Sequence, residues 1–219
     1  MKKKLALFCL LCSTYCFAQI PKSVDSLAVF LKTKPQDTTY VSALNEYAFL
    51  KVQEGQYDEV QKTIAQMETL TKKLRYGTGF YKVMNMRGIV EYSKQNPQKA
   101  MAYFLQCNEI IKQYKLPKKI YQNSLNNIGI IYHQMGDQEN ATLYSMKLID
   151  FQEKNKLDPL KTSPYDQIGN NLKSAKKYDE ALGYFRKSLA IETRNKNYTA
   201  WQSGGIIFAI CLKIFKKKR

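Results

Sequence analysis

The chain has 219 residues, 44 % hydrophobic and 24 % charged, which excludes a disordered or low-complexity polymer and fits one domain of ordinary size. Its formal charge of +17 is spread along the chain instead of being gathered into one stripe, which argues against a nucleic-acid footprint. Gly and Pro are few and alternating apolar runs are scarce, so the composition points to an all-helical fold.

The N-terminus reads as an address. Lys2, Lys3 and Lys4 precede an apolar run from Leu5 to Leu11, and Cys16-Phe17-Ala18 offers small residues at positions −3 and −1 of a cleavage site. Residues 1–18 are predicted to be a secretory signal peptide cut after Ala18. The apolar run is too short for a membrane span, which needs about 20 helical residues. Tyr15 before Cys16 disfavours a lipid-modified cysteine. Export would place the mature chain in the periplasm or envelope. Cys9, Cys12 and Cys16 leave with the signal, and two distant cysteines, Cys107 and Cys211, make no disulfide framework. Cys107 lies on an apolar helical face and is predicted to be a buried free thiol. The absence of a CxxC or a Cys/His cluster predicts no metal site, and no cofactor is implied.

Residues 19–36 are predicted to form a capping helix opened by Pro21, with Val24, Leu27, Ala28 and Leu31 on one face. Asp37 or Thr38 caps the next helix. Four pairs of helices then follow, over 37–76, 77–116, 117–157 and 158–195. The first pair runs from Thr38 to Gln53 and from Asp58 to Leu74, around a turn at Gly55-Gln56-Tyr57-Asp58. The second runs from Thr78 to Lys94 and from Pro97 to Tyr114, with Asn96 as cap and Pro97 in the first turn. The third runs from Pro117 to Met135 and from Gln138 to Asn155, joined at Gly136-Asp137. The fourth opens at Ser163-Pro164, runs to Ala175 and resumes from Tyr178 to Arg194. Connections this short force antiparallel neighbours.

The four pairs repeat one pattern. Val60, Ala100, Ala141 and Ala181 recur at intervals of 40, 41 and 40 residues in the second helices. In the first helices Ala48, Gly88, Gly129 and Gly169 hold the same register. A small residue lets two helices cross closely, and Ile64, Phe104 and Phe185 supply bulk beside it. A fixed period of this length marks a helical solenoid, in which each pair buries its apolar face only against its neighbours.

The pattern resembles the tetratricopeptide repeat. The resemblance is clearest in Ile128-Gly129-x-x-Tyr132-x-x-x-Gly136 ending in Ala141, and in Ile168-Gly169 with Tyr178-Asp179-Glu180-Ala181, Phe185 and Leu189. Arg87 stands where an apolar residue is expected, Ser145 where an aromatic is usual, and the usual Pro after the second helix is missing. The resemblance implies a right-handed superhelical solenoid of about four repeats, non-enzymatic, binding a protein or peptide. With the export signal, it also implies a likeness to the extracytoplasmic sensory region of bacterial signalling proteins. No kinase motif or nucleotide-binding glycine loop accompanies it in this chain.

In that family the first helices line the concave groove. Asn45, Asn85, Asn126 and Asp166 form a row three residues before the small positions, and Phe49, Ile89, Ile130 and Asn170 lie one turn further on. Lys82, His133 and Lys173 share that side. The row either hydrogen-bonds the backbone of an extended peptide or bonds neighbouring helices to support the stack. His133 is the only histidine, and no nucleophile or carboxylate is paired with it by spacing, so no catalytic residue is predicted.

Residues 196–219 end the chain. Phe208-Ala209-x-x-Leu212 falls 40 residues after Ile168-Gly169-x-x-Leu172, which fits the first helix of an incomplete fifth repeat. The run Ile206 to Phe215 is followed by Lys216, Lys217, Lys218 and Arg219. It is predicted to be sticky, either self-associating or making weak contact with an anionic membrane surface. Two functional classes follow. One is a sensory or adapter module that binds a protein or peptide. The other is an envelope scaffold that assembles through this end.

Overall fold

The computed structural model describes Ile20 and residues 23–33, 35–159 and 163–194. The signal peptide, Pro21, the tail from 196 and Cys211 lie outside them. The described residues form α1 (Val24–Lys32), α2 (Thr38–Gln53), α3 (Tyr57–Leu74), α4 (Gly77–Ser93), α5 (Pro97–Gln113), α6 (Lys118–Gln134), α7 (Gln138–Lys154), α8 (Ser163–Ser174) and α9 (Tyr178–Arg194). No strand occurs among them. Each helix packs on the next in chain order, and α2 also packs directly on α4. The molecule is an all-α repeat solenoid.

Local chemistry sets the helix ends. Ser23 caps α1, its hydroxyl accepting from the Ser26 amide, and Asp37 caps α2, accepting from the Tyr40 amide at 2.9 Å. Asp137 caps α7 through both the backbone and side-chain nitrogens of Asn140, at 3.0 and 2.7 Å. Asp58 and Glu59 open α3 and Lys72 and Lys73 close it, each sign placed against the opposite end of the helix dipole. Two expectations shift. The capping helix, Val24–Lys32, is shorter than 19–36. Asn96 precedes Pro97 as predicted, but its side chain donates to Glu91 Oε2 at 3.1 Å and makes no bond to the α5 amides.

The turns repeat as regularly as the helices. Within repeats, Gly55, Gln95, Gly136 and Lys176 all have positive φ, at 73°, 59°, 78° and 61°. Between repeats Arg75, Lys115 and Lys156 sit at 50°, 49° and 50°. One left-handed residue reverses the chain after a helix and satisfies its last carbonyls. The reversal is needed at every turn, but glycine supplies it at only two of the seven positions.

The interior is a series of apolar clusters along the array. Its largest cluster joins α2, α3 and α4 through Leu44, Ile64, Met67, Val83 and Met86, all at most 2 % exposed. Further clusters join α5 to α6 through Ala100, Phe104, Ile128 and Ile131, and α4 to α5 through Tyr81, Cys107 and Ile111. Cys107 is buried and free, as its apolar setting predicts. Its thiol faces the Tyr81 carbonyl, and burial pushes its pKa up to about 12, so it is unreactive at neutral pH.

The small positions match their partners one by one. A Cβ added at Gly88 would meet the Phe104 ring at 2.6 Å, and one at Gly169 would meet Phe185 at 2.6 Å. Where the facing residue is Ile64, Ala48 occupies the small position. Where it is Ser145, the nearest atom to a Cβ on Gly129 is Tyr144 Cβ at 3.5 Å. Arg87, the departure from the apolar pattern, pairs with Glu68 of α3, which also holds Lys72 at 2.8 Å.

Candidate binding face

The first helices α2, α4, α6 and α8 carry the residues singled out from the sequence. Direct packing of α2 on α4 places the first helices close together there, as on the inner side of a curved array. Two side-chain bonds cross this layer. Lys82 Nζ donates to Ser42 Oγ at 2.7 Å, joining α4 to α2. Asn127 Nδ2 donates to Asn85 Oδ1 at 2.8 Å, joining α6 to α4.

Each candidate has a definite place. Asn45 is half-buried and its amide donates to Glu46 Oε1 at 3.3 Å on its own helix. Asn85 is half-buried, and its carbonyl is engaged by Asn127, so this member of the row supports the neighbouring helix. Asn126 is half-buried and lines a small cavity with Gly129, Ile130 and Ser145. Lys82 is half-buried. Burial lowers its pKa, the nearby Glu46 carboxylate working in the opposite sense. His133 is exposed, its Nδ1 3.3 Å from Gln138 Oε1 at the start of α7, away from the bonds that join the first helices. Lys173 and Asp166 are half-buried, and Asn170 is exposed. Phe49 is 40 % exposed, with Ile89 and Ile130 half-buried one repeat and two repeats along.

The face therefore offers an apolar step in each of the first three repeats, replaced by Asn170 in the fourth, and is edged by amides. Its charged candidates are of both signs, Asp166 against Lys82 and Lys173, on a strongly basic chain. Ser42 and Asn127 were not foreseen. They sit beside the predicted positions in register, and their partners become visible only when two helices are superposed.

Asp166 also bears on α9. Glu192 is 5 % exposed, and its carboxyl pKa is raised first by burial and then by the Asp166 charge. Glu192 Oε2 and the buried Ser188 Oγ have no hydrogen-bond partner. No cluster of three or more His, Cys, Asp or Glu among the described residues is placed to hold a metal ion. No described helix is long and apolar enough to cross a membrane.

Known proteins agree with this architecture. Tetratricopeptide-repeat family models match residues 122–155 and 165–194. No curated protein matches the sequence. Among solved structures, a signal transduction ATPase with numerous domains and a tetratricopeptide repeat sensor, from Pyrococcus horikoshii, is similar with a TM-score of 0.65 and 15 % identity. That match covers 86 % of this chain and 32 % of the other, so this chain spans about a third of that protein. BtubC from P. vanneervenii is similar at a TM-score of 0.61 and 16 % identity, covering 89 % of this chain and 86 % of its own. A Podosopora anserina kinesin light chain with nearly identical TPR-like repeats gives 0.52 and 14 %, covering 80 % and 85 %. At these identities the likeness is one of fold. Tetratricopeptide arrays are in general non-enzymatic scaffolds for protein–protein interaction. The two matched segments are tetratricopeptide repeats, set in an array whose overall fold is that of solved tetratricopeptide solenoids.

Proposed function

We propose that the chain is an exported sensory or adapter module that holds a protein or an extended peptide against its first helices. The observation that carries this reading is the regular inner row, apolar at Phe49, Ile89 and Ile130 and edged by Asn45, Asn126 and Lys82. An extended backbone has donors and acceptors at each residue, and a ladder of amides can satisfy both. Binding of this kind needs no cofactor and no covalent step. The Lys-rich N-terminus and the small residues before Gln19 support export to the periplasm or envelope. N-terminal sequencing of the processed protein tests that directly. A first residue other than Gln19 or its immediate neighbours removes the secretory reading.

The binding test uses a double variant, Asn45→Ala with Asn126→Ala, which spares the Asn85–Asn127 bond of the stack. A partner captured from envelope extract should bind the variant about tenfold more weakly, the helical signal being kept. Loss of helicity with unchanged binding would assign the row to the stack alone.

The second reading is an envelope scaffold assembling through its C-terminal end. Its support is the apolar run Ile206 to Phe215, with the basic residues beyond it as a route to weak membrane-surface contact. Sedimentation of the full chain against one ending at residue 204 decides it. Self-association that is lost on truncation supports the scaffold, and identical monomers remove it.

A further inference from the structure

The three junctions between repeats use the same three positions of the second helix. In α3 these are Ile64, Met67 and Thr71, in α5 Phe104, Cys107 and Ile111, and in α7 Ser145, Leu148 and Gln152. All nine are buried. The first two junctions are mainly apolar, though the first adds the Arg87–Glu68 ion pair and an unpartnered Thr71 hydroxyl, and the second a bond from Ser124 Oγ to Asn108 Oδ1 at 2.7 Å. The third is polar at two of its three positions. Ser145 Oγ donates to Gln167 Oε1 at 2.7 Å, and Asn171 Nδ2 donates to Thr142 Oγ1. Gln152 is 2 % exposed, and its Oε1 has no partner. A small cavity borders this seam where three helices meet, lined from α6 by Leu125, Asn126, Gly129 and Ile130, from α7 by Ser145, and from α8 by Gln167. It lies where Phe104 and Phe185 fill the equivalent space beneath Gly88 and Gly169.

We propose that the solenoid is jointed between its third and fourth repeats, with α2 to α7 as one stiff body and α8–α9 turning on the α7–α8 seam. The reason is the nature of what holds the seam. Side-chain hydrogen bonds such as Ser145–Gln167 and Asn171–Thr142 are replaced by bonds to water when a seam opens, so they resist opening weakly. Close-packed apolar contact has no such replacement. The orphaned Gln152 carbonyl gains a partner when water enters, as the Thr71 hydroxyl would in the first junction, but only at the third does it stand beside a second polar position, Ser145. A joint here alters the spacing of α6 and α8, and so the width of the far end of the first-helix face. A segment lying across both would select one setting of the joint.

The test is native-state hydrogen exchange on the full chain, with two single variants copied from the preceding repeat, Ser145→Phe and Gln152→Ile. In the parent chain α8 and α9 should exchange together, about tenfold or more faster than α4 and α5. Each variant should narrow that gap, and simple fraying of a chain end would leave it unchanged. Exchange of α8–α9 at the rate of α4–α5, or folded variants with the gap intact, overturns the joint. A second measurement leaves the seam untouched. Spin labels at exposed positions Gln134 and Ser174 span the joint, and labels at Tyr92 and Gln134 span the second junction. They are introduced in a Cys211→Ser chain that keeps the buried Cys107. A broad distance distribution across the joint beside a narrow one at the control is expected, and equally narrow distributions overturn it.

Discussion

Gly88 and Gly129 occupy the same place in successive repeats and face different neighbours. A methyl on Gly88 would collide with the Phe104 ring, which is itself only 3 % exposed and has little room to yield. Gly88→Ala should therefore lose about 1–3 kcal/mol of stability, as overpacked cores do. Gly129→Ala meets nothing closer than 3.5 Å. It should gain up to about 1 kcal/mol, because alanine is the better helix former. Urea unfolding of the two variants decides the matter, and equal effects of the same sign would show that the Phe104 contact is unimportant. The small residues were legible in the sequence as a repeating register. Their unequal tolerance was not, since it depends on which side chain stands opposite. Ser145 in place of an aromatic was the one available clue.

Between helices, the seven reversals show how a repeat preserves geometry while changing residues. Gln95 and Lys176 hold the left-handed conformation that Gly55 and Gly136 adopt without steric cost. Gln95→Gly should raise stability by about 0.5–1 kcal/mol, and Gly136→Ala should lower it by about 1–2 kcal/mol. Thermal melts of the two variants should move in opposite directions, and a fall in both would mean that the side chain of Gln95 matters more than its backbone. The helices themselves were readable almost to the residue, α2 and α9 in full, because spacing of apolar residues, Asp caps and short turns act locally. Asn96 was misread as a bonding cap because the sequence does not reveal that Glu91, one turn earlier, takes its amide.

Across the whole molecule, two carboxylates, one between the first two repeats and one within the fourth, pull stability in opposite directions with pH. Glu68 has its pKa lowered by its bond to Lys72, with the Arg87 charge adding to the effect. It stabilises the fold above its unfolded pKa of about 4.3, and that contribution is lost as pH falls through the lowered folded value. Glu192 has its pKa raised by burial and by Asp166. The fold then binds the proton more tightly than the unfolded chain does, so stability falls as pH rises from about 4.3 through the raised value. Glu68→Gln should flatten the acid-side loss, and Glu192→Gln should stabilise the protein near neutrality. Unfolding midpoints measured between about pH 3 and 8 test both, and a Glu192→Gln variant less stable than the parent at pH 7 would remove the second. Helix periodicity, close-crossing small residues and the 40-residue period are properties of adjacent or regularly spaced residues, so the amino-acid order alone determined an all-α solenoid of stacked pairs. The tertiary structure decided which polar groups meet. Asn127 with Asn85, Arg87 with Glu68 and Ser145 with Gln167 lie far apart in the chain. Their meeting depends on the crossing of helices from different repeats, a geometry fixed by the packed interior and carried by no local pattern.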